Sequence, residues 1–188
     1  MFTILTRTSN RPNYFQTCRQ SILEQTTGAY HIVSTDDAAD TYPEGDLVLP
    51  VERQPGRCHN LYFNYMRYHV PNRAPWVVHI DDDDQFTTPD ALATIQKHIQ
   101  DENSLLLWKV DLGEYVVPTS WGNPPKPGDI SGIGFCVHVK HWVPWQGIPY
   151  GDYHVISRYY QKLNPVWIPE ILTRCQTGPG HGLAIDKK

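Results

Sequence analysis

Trp76-Val77-Val78-His79-Ile80-Asp81-Asp82-Asp83-Asp84 decides the reading of this chain. Its first five residues are an apolar run following Pro71 and Pro75, the pattern of a buried strand. Four consecutive carboxylates then leave the end of that strand. Side by side they repel one another, so a fold gains little from them unless a cation binds. Hard oxygen ligands suit Mn²⁺ or Mg²⁺, and Mg²⁺ typically takes one or two carboxylates together with phosphate oxygens of a substrate. In open α/β sheets ligands bind beyond the carboxyl ends of the strands, which is where this run lies. Asp81, Asp82, Asp83 and Asp84 are therefore candidate metal ligands. The competing reading is a solvated acidic turn, and the position at the end of a buried strand tells against it. An EF-hand is disfavoured, because its loop glycine and closing Glu are missing.

Upstream, strand and helix patterns alternate. Phe2-Thr3-Ile4-Leu5 reads as a strand, and Thr8-Ser9-Asn10-Arg11-Pro12 as a loop feeding a helix, with Pro12 in its first turn and Ser9 or Asn10 as cap. Tyr14, Cys18 and Ile22 mark the apolar face of that helix, and Gly28 its end. His31-Ile32-Val33-Ser34 and Leu47-Val48-Leu49 read as strands. Pro55-Gly56 breaks the chain before a helix carrying Leu61, Tyr62, Tyr65, Met66 and His69. Downstream, Thr88-Pro89-Asp90 opens a helix with a cap, a proline at its first position and a first-turn acid, its buried stripe being Leu92, Ile95 and Ile99. Strand patterns recur at residues 105–110, 134–139 and 166–168, with a helix over 153–161. Residues 118–128 form a Pro/Gly-rich loop, and the Gly/Pro-rich tail at 177–181 is expected to be mobile. The alternation predicts an α/β fold with a mostly parallel central sheet and helices on both faces. There is no internal repeat or linker, so the 188 residues form a single domain.

The composition narrows the function classes. A net charge of -4 with no basic patch argues against a nucleic-acid partner. No apolar run approaches the ~20 residues of a membrane-spanning helix, and the N-terminus lacks the pattern of a signal peptide. Cys18, Cys58, Cys136 and Cys175 are widely spaced without a CxxC pair, which predicts buried free thiols in a reducing, cytoplasmic setting. The 6 Trp, 11 Tyr and 5 Phe belong mainly to core packing, and a few in a cleft would suit a carbohydrate.

Further chemistry-bearing residues are sparse. Asp36 and Asp37 follow the second strand, where a carboxylate can accept a hydrogen bond from a base N–H or a ribose hydroxyl, or simply cap a turn. Thr6-Arg7-Thr8 and Arg57 could face a phosphate or base, a surface arginine being the default reading for each alone. Asp152, in Gly151-Asp152-Tyr153 with Arg158 six residues on, is a candidate general base, or a first-turn acid favoured by the helix dipole. His181, flanked by Gly180 and Gly182, could close on a metal or diphosphate, against the default reading of a solvent-exposed tail histidine. Gly132-Ile133-Gly134 lacks the third glycine of a dinucleotide fingerprint, and no P-loop or HExxH occurs.

Taken together, these residues resemble the family 2 glycosyltransferases. Residues 3–12 are similar to that family's first strand and "T-x-N-R-P" loop. Residues 76–86 are similar to its fourth strand and DXD motif, and Pro89 to the proline that begins the next helix. Ser131-Gly132-Ile133-Gly134-Phe135 resembles its acceptor-side loop and strand. Gly151-Asp152 with Arg158 is similar to its "G-E-D" motif and trailing arginine, with Tyr150 ahead of Gly151-Asp152 and the Glu missing. Anchoring the DXD on the strand selects Asp81 and Asp83, whereas anchoring on Pro89 selects Asp82 and Asp84.

The resemblance implies a GT-A fold, with a nucleotide-sugar-binding half over about residues 1–100 and a reduced acceptor-binding half over about 101–188. It implies inverting transfer from a nucleoside-diphosphate sugar, by family habit a UDP-sugar, to a hydroxyl on a glycan, lipid or protein-linked acceptor in glycan biosynthesis. In that scheme the DXD carboxylates hold Mn²⁺ or Mg²⁺ against the leaving diphosphate. Asp36 holds the base near Thr6 and Arg57, Asp152 deprotonates the acceptor, and His181 adds a metal or diphosphate contact. Two alternatives stand beside this reading. A sugar nucleotidyltransferase would usually carry a Gly-rich loop after the first strand, which is missing here. A non-catalytic nucleotide-binding module is kept open by the missing Glu.

Overall fold

The computed structural model describes residues 1–53 and 60–176. Pro55-Gly56, Arg57, Cys58 and the tail with His181 lie outside the described residues. The order is β1 (Phe2–Thr8), α1 (Pro12–Leu23), β2 (Ala29–Thr35), β3 (Leu47–Pro50), α2 (Leu61–Met66), β4 (Trp76–His79), β5 (Asp84–Phe86), α3 (Ala91–Lys97), β6 (Ser104–Asp111), β7 (Val116–Val117), β8 (Phe135–His138), α4 (Gly151–Tyr160) and β9 (Asn164–Cys175). One curled sheet runs β3-β2-β1-β4-β8-β6-β9-β5, with β7 on β6. β3, β2, β1 and β4 pair in parallel, as do β6 and β9, while β8, β5 and β7 run antiparallel to their neighbours. The sheet is thus mixed and mostly parallel.

Side-chain alternation builds a core on each face of this sheet. Phe2, Ile4, Trp76, Val78, Leu106, Trp108 and Cys136 point to one face, where they meet Cys18 and Ile22 of α1 and Leu92 and Ile95 of α3. Leu5, Val77, Leu105, Leu107, Phe135 and Val137 point to the other, against Phe63 and Met66 of α2 and Val155, Ile156 and Tyr159 of α4. The central strands are buried on both faces, which is why they read as continuous apolar runs in the sequence. Cys18 and Cys136 are buried free thiols, and Cys175 is a partly buried one. No helix among the described residues is long and apolar enough to cross a membrane.

Several boundaries differ from the sequence pattern. α1 stops at Leu23, well before Gly28, because the chain must turn to enter β2 at Ala29. Its N-cap is Arg11 rather than Ser9 or Asn10; Pro12 does occupy the first turn. α3 begins at Ala91, so Pro89 lies outside the helix, and the Asp90 carboxylate accepts from the Thr26 hydroxyl instead of capping. Residues 166–168 are only a part of the twelve-residue β9, in which Pro165 and Pro169 interrupt the apolar signal. Asp84 opens a short strand of its own, β5, which pairs antiparallel with the end of β9.

Candidate donor and metal site at the end of β4

β1, β2 and β4 lie side by side in register, so the loops leaving their carboxyl ends converge. The acidic residues follow β4, and the Asp84 N–H closes their turn on the Asp81 carbonyl at 3.0 Å. The end of β9 holds the turn from its other side. The Gln176 N–H donates to the Asp83 carbonyl at 2.7 Å, and its side-chain amide to the carbonyls of Asp82 and Asp84.

Within this turn the four carboxylates have distinct partners. Asp81 takes a two-pronged contact from Arg7, with Nε and Nη2 donating at 2.7 and 2.6 Å. The third prong of Arg7, Nη1, donates to Asn60 Oδ1 at 2.6 Å, and the guanidinium lies 5.0 Å from the centre of the Phe63 ring. Asp82 accepts from Thr8 Oγ1 at 2.8 Å and from Arg11 Nη1 at 3.0 Å. Arg11 also stands 3.3 Å from Asp83. Carboxylate oxygens of Asp81, Asp83 and Asp84 lie within 4.8 Å of one another. The geometry therefore groups Asp81 with Asp83 and Asp84, and commits Asp82 to Thr8 and Arg11.

Charge counting favours a cation here. Four carboxylates face the two guanidiniums of Arg7 and Arg11, leaving two negative charges in a region where Asp82, Asp83 and Asp84 are buried. Burial lifts the Asp82 carboxyl to about 7 against the opposing pull of Arg11. Burial, then the charge of Asp81, raises Asp83, and burial, then the charges of Asp83 and Asp81, pushes Asp84 well up. Desolvated carboxylates crowded in this way fit a divalent ion, which supplies the missing charge through oxygen ligands.

Asp36 sits beyond the carboxyl end of β2, the strand on the far side of β1 from β4. Its Oδ2 accepts from the Tyr62 hydroxyl at 2.8 Å and lies 3.5 Å from Arg53 Nε. Its Oδ1 is buried without a hydrogen-bond partner among the described residues, an acceptor left open. Thr6, by contrast, is fully buried within the sheet, its hydroxyl 2.9 Å from His31 Nε2. Thr8 is tied to Asp82 and to the Tyr42 hydroxyl at 2.9 Å. Arg57 and His181 lie outside the described residues.

Asp152 stands in the first turn of α4, half-buried. Burial raises its carboxyl, opposed by backbone N–H groups and reinforced by the charge of Asp81, which places the two acids in one electrostatic neighbourhood. Gly132 faces it, since a Cβ there would lie 3.6 Å from Asp152 Cβ and 3.2 Å from the Trp145 ring. Gly151 has no room for a side chain either, because a Cβ would come within 2.6 Å of Asn60 Nδ2. Arg158 is exposed on the same helix.

The sequence pattern shows Arg11 only as part of the loop motif and Tyr62 only as a packing residue of a helix, and gives no sign of Asn60 or Gln176. Asn60 is the N-cap of a six-residue helix and Tyr62 lies within it, the helix pattern reads as apolar packing, and each of the two reaches a partner distant in sequence.

No protein-family model and no curated protein matches this chain. Solved structures do. S. aureus TarS 1-349 superposes with a TM-score of 0.66 at 16% identity, over 93% of this chain and 60% of that one. Related TarS structures hold UDP and UDP-GlcNAc. The mannosyltransferase PcManGT from Pyrobaculum calidifontis, in complex with GDP-Man and Mn²⁺, superposes with a TM-score of 0.68 at 13% identity, over 95% of this chain and 57% of that one. The chain thus spans about three fifths of the length of these neighbours. On these likenesses the chain has the GT-A type glycosyltransferase fold.

Proposed function

We propose that this protein is a metal-dependent glycosyltransferase that moves a sugar from a nucleoside-diphosphate sugar to a hydroxyl acceptor with inversion. The observation that carries the reading is the acidic turn at the carboxyl end of β4, with four carboxylates against two guanidiniums and three of the acids buried. Asp81, Asp83 and Asp84 would hold Mn²⁺ or Mg²⁺, which would supply positive charge against the leaving diphosphate. Arg7 and Arg11 keep the carboxylates apart and aligned. Asp82 anchors the loop after β1 through Thr8 and Arg11.

Asp36 reads the base. Its open Oδ1 suits a ring N–H, which uracil and guanine offer and adenine does not. A uridine nucleotide is our choice, supported by the UDP and UDP-GlcNAc found in TarS neighbours. Asp152 takes the proton from the acceptor hydroxyl as that oxygen attacks the anomeric carbon from the face opposite the diphosphate. Burial raises its proton affinity, in the direction that strengthens a base. Thr6, Arg57 and His181 carry no part of this argument.

Calorimetric titration of UDP, GDP and ADP, each with and without Mn²⁺, tests the donor site. Metal-dependent binding of UDP and none of ADP is expected, and absence of binding by all three would refute the reading. Asp152→Asn should keep nucleotide binding and lower transfer by ~10²–10⁴-fold.

A further inference from the structure

Among the described residues only Asn10 and Tyr150 adopt a positive φ without being glycine. Asn10 has a local explanation: asparagine tolerates this region, and its N–H is held by both oxygens of Asp40 at 3.0 and 3.2 Å. Tyr150 has none. For a bulky aromatic residue, φ 55° and ψ 38° form a true outlier. Its carbonyl starts α4 by accepting from the His154 N–H, which a glycine would do equally well. Its ring does not repay the strain by packing, since the residue remains 59% exposed. Of the three other exposed tyrosines among the described residues, Tyr65 packs on the His69 ring and Tyr68 under Arg67, while Tyr115 carries no backbone strain.

The place of the ring is well defined. A Cβ on Gly128 would lie 3.9 Å from Tyr150 Cε1, and one on Gly132 would lie 3.6 Å from Asp152 Cβ. A single segment, residues 128–132, therefore runs past Tyr150 and then past Asp152. The strained ring and Asp152, two residues apart at the start of α4, thus flank one stretch of chain. Backbone strain that the fold does not need is found where it serves function. A tyrosine ring offers a flat apolar face with a polar tip, which matches a pyranose: a face of C–H bonds rimmed by hydroxyls.

We infer that Tyr150 is an acceptor subsite, a stacking platform for a sugar ring of a glycan acceptor beside Asp152. The inference rests on the transfer reading above and gives its acceptor a chemical class.

Tyr150→Gly tests it cleanly, because glycine relieves the backbone and deletes the platform, whereas Tyr150→Phe keeps the platform. Maltoheptaose, cellohexaose and chitohexaose would be titrated into each protein in the presence of UDP and Mn²⁺, with melting temperature and UDP affinity measured in parallel. At least one glycan should bind the wild type. Tyr150→Gly should weaken it about tenfold with unchanged UDP affinity and an equal or higher melting temperature, and Tyr150→Phe should bind within about threefold of the wild type. Equal glycan affinity in Tyr150→Gly, a lowered melting temperature, or no glycan binding to a wild type that binds UDP and Mn²⁺ would each overturn the platform. Failure of UDP to bind the wild type, with Tyr150-dependent glycan binding retained, would sink the transfer reading and leave the platform standing. Failure of both ligands would overturn both.

Discussion

His79 is the last residue of β4, two positions before the acidic turn, and its ring is boxed by Phe63, Phe135, Trp142 and Trp145 at 4.7 to 5.6 Å between centres. Both ring nitrogens are buried without a hydrogen-bond partner. Burial, aided by the charge of Arg7, holds its proton affinity down to about 3, against 6.5 for an ordinary histidine. The folded value lies below the unfolded one. The stability contributed by the neutral ring is therefore complete above pH 6.5 and is lost as pH falls towards 3. Between pH 7.5 and pH 5 the unfolded chain gains a proton at this residue and the folded one does not, a loss of about 2 kcal/mol.

His79→Phe keeps an aromatic ring in the box and removes this titration. Urea unfolding of both proteins at pH 7.5 and 5 should show the wild type losing about 2 kcal/mol more than the variant, about 4–8 °C in melting temperature. His31, also held to about 3 by burial, shifts stability in the same direction. Asp82, raised to about 7, shifts it the other way, its contribution being complete at low pH and lost as pH rises through 7. Both are present in wild type and variant and cancel in the comparison. Any overpacking by the larger ring moves the variant's stability at both pH values alike. Equal pH dependence in the two proteins would refute the argument.

Two further outcomes follow from the site. Asp83→Asn should weaken Mn²⁺-dependent UDP binding by more than about 100-fold, beyond what loss of an outer partner costs, and leave the melting temperature without metal equal or higher; unchanged Mn²⁺ dependence in calorimetry would remove Asp83 as a ligand. Gly151→Ala drives a Cβ against Asn60 Nδ2 and so disturbs the Arg7 contact with Asn60, at a cost of about 1–3 kcal/mol. In an Asn60→Ala background the same substitution should cost less than half as much, and an equal cost in both backgrounds, read by urea unfolding, would show that Asn60 is not the obstacle.

The elements legible in the sequence were those whose burial is simple. β1, β2, β4 and β6 are apolar on both faces, so they read as continuous hydrophobic runs. β9 and β5 were harder. Two prolines break the apolar signal of β9, and Asp84 is an unusual first residue for a strand, stable there because Cys175 of β9 pairs with it. Helix ends at Leu23 and Ala91 were set by the paths into neighbouring strands rather than by Gly28 or Pro89.

The amino-acid sequence by itself determined the α/β class, the strand that ends in carboxylates, and Asp36 and Asp152 as acids worth weighing, because hydrophobic periodicity and runs of like charge are local properties of a chain. Tertiary structure alone decided which partners the four acids have. Arg7 and Asp81 are 74 residues apart, as are Thr8 and Asp82, and Arg11 is 71 residues from Asp82. They meet because β1 and β4 lie side by side in one sheet. Which carboxylate meets which guanidinium is a matter of register and turn geometry in space, and spacing along the chain carries no record of it.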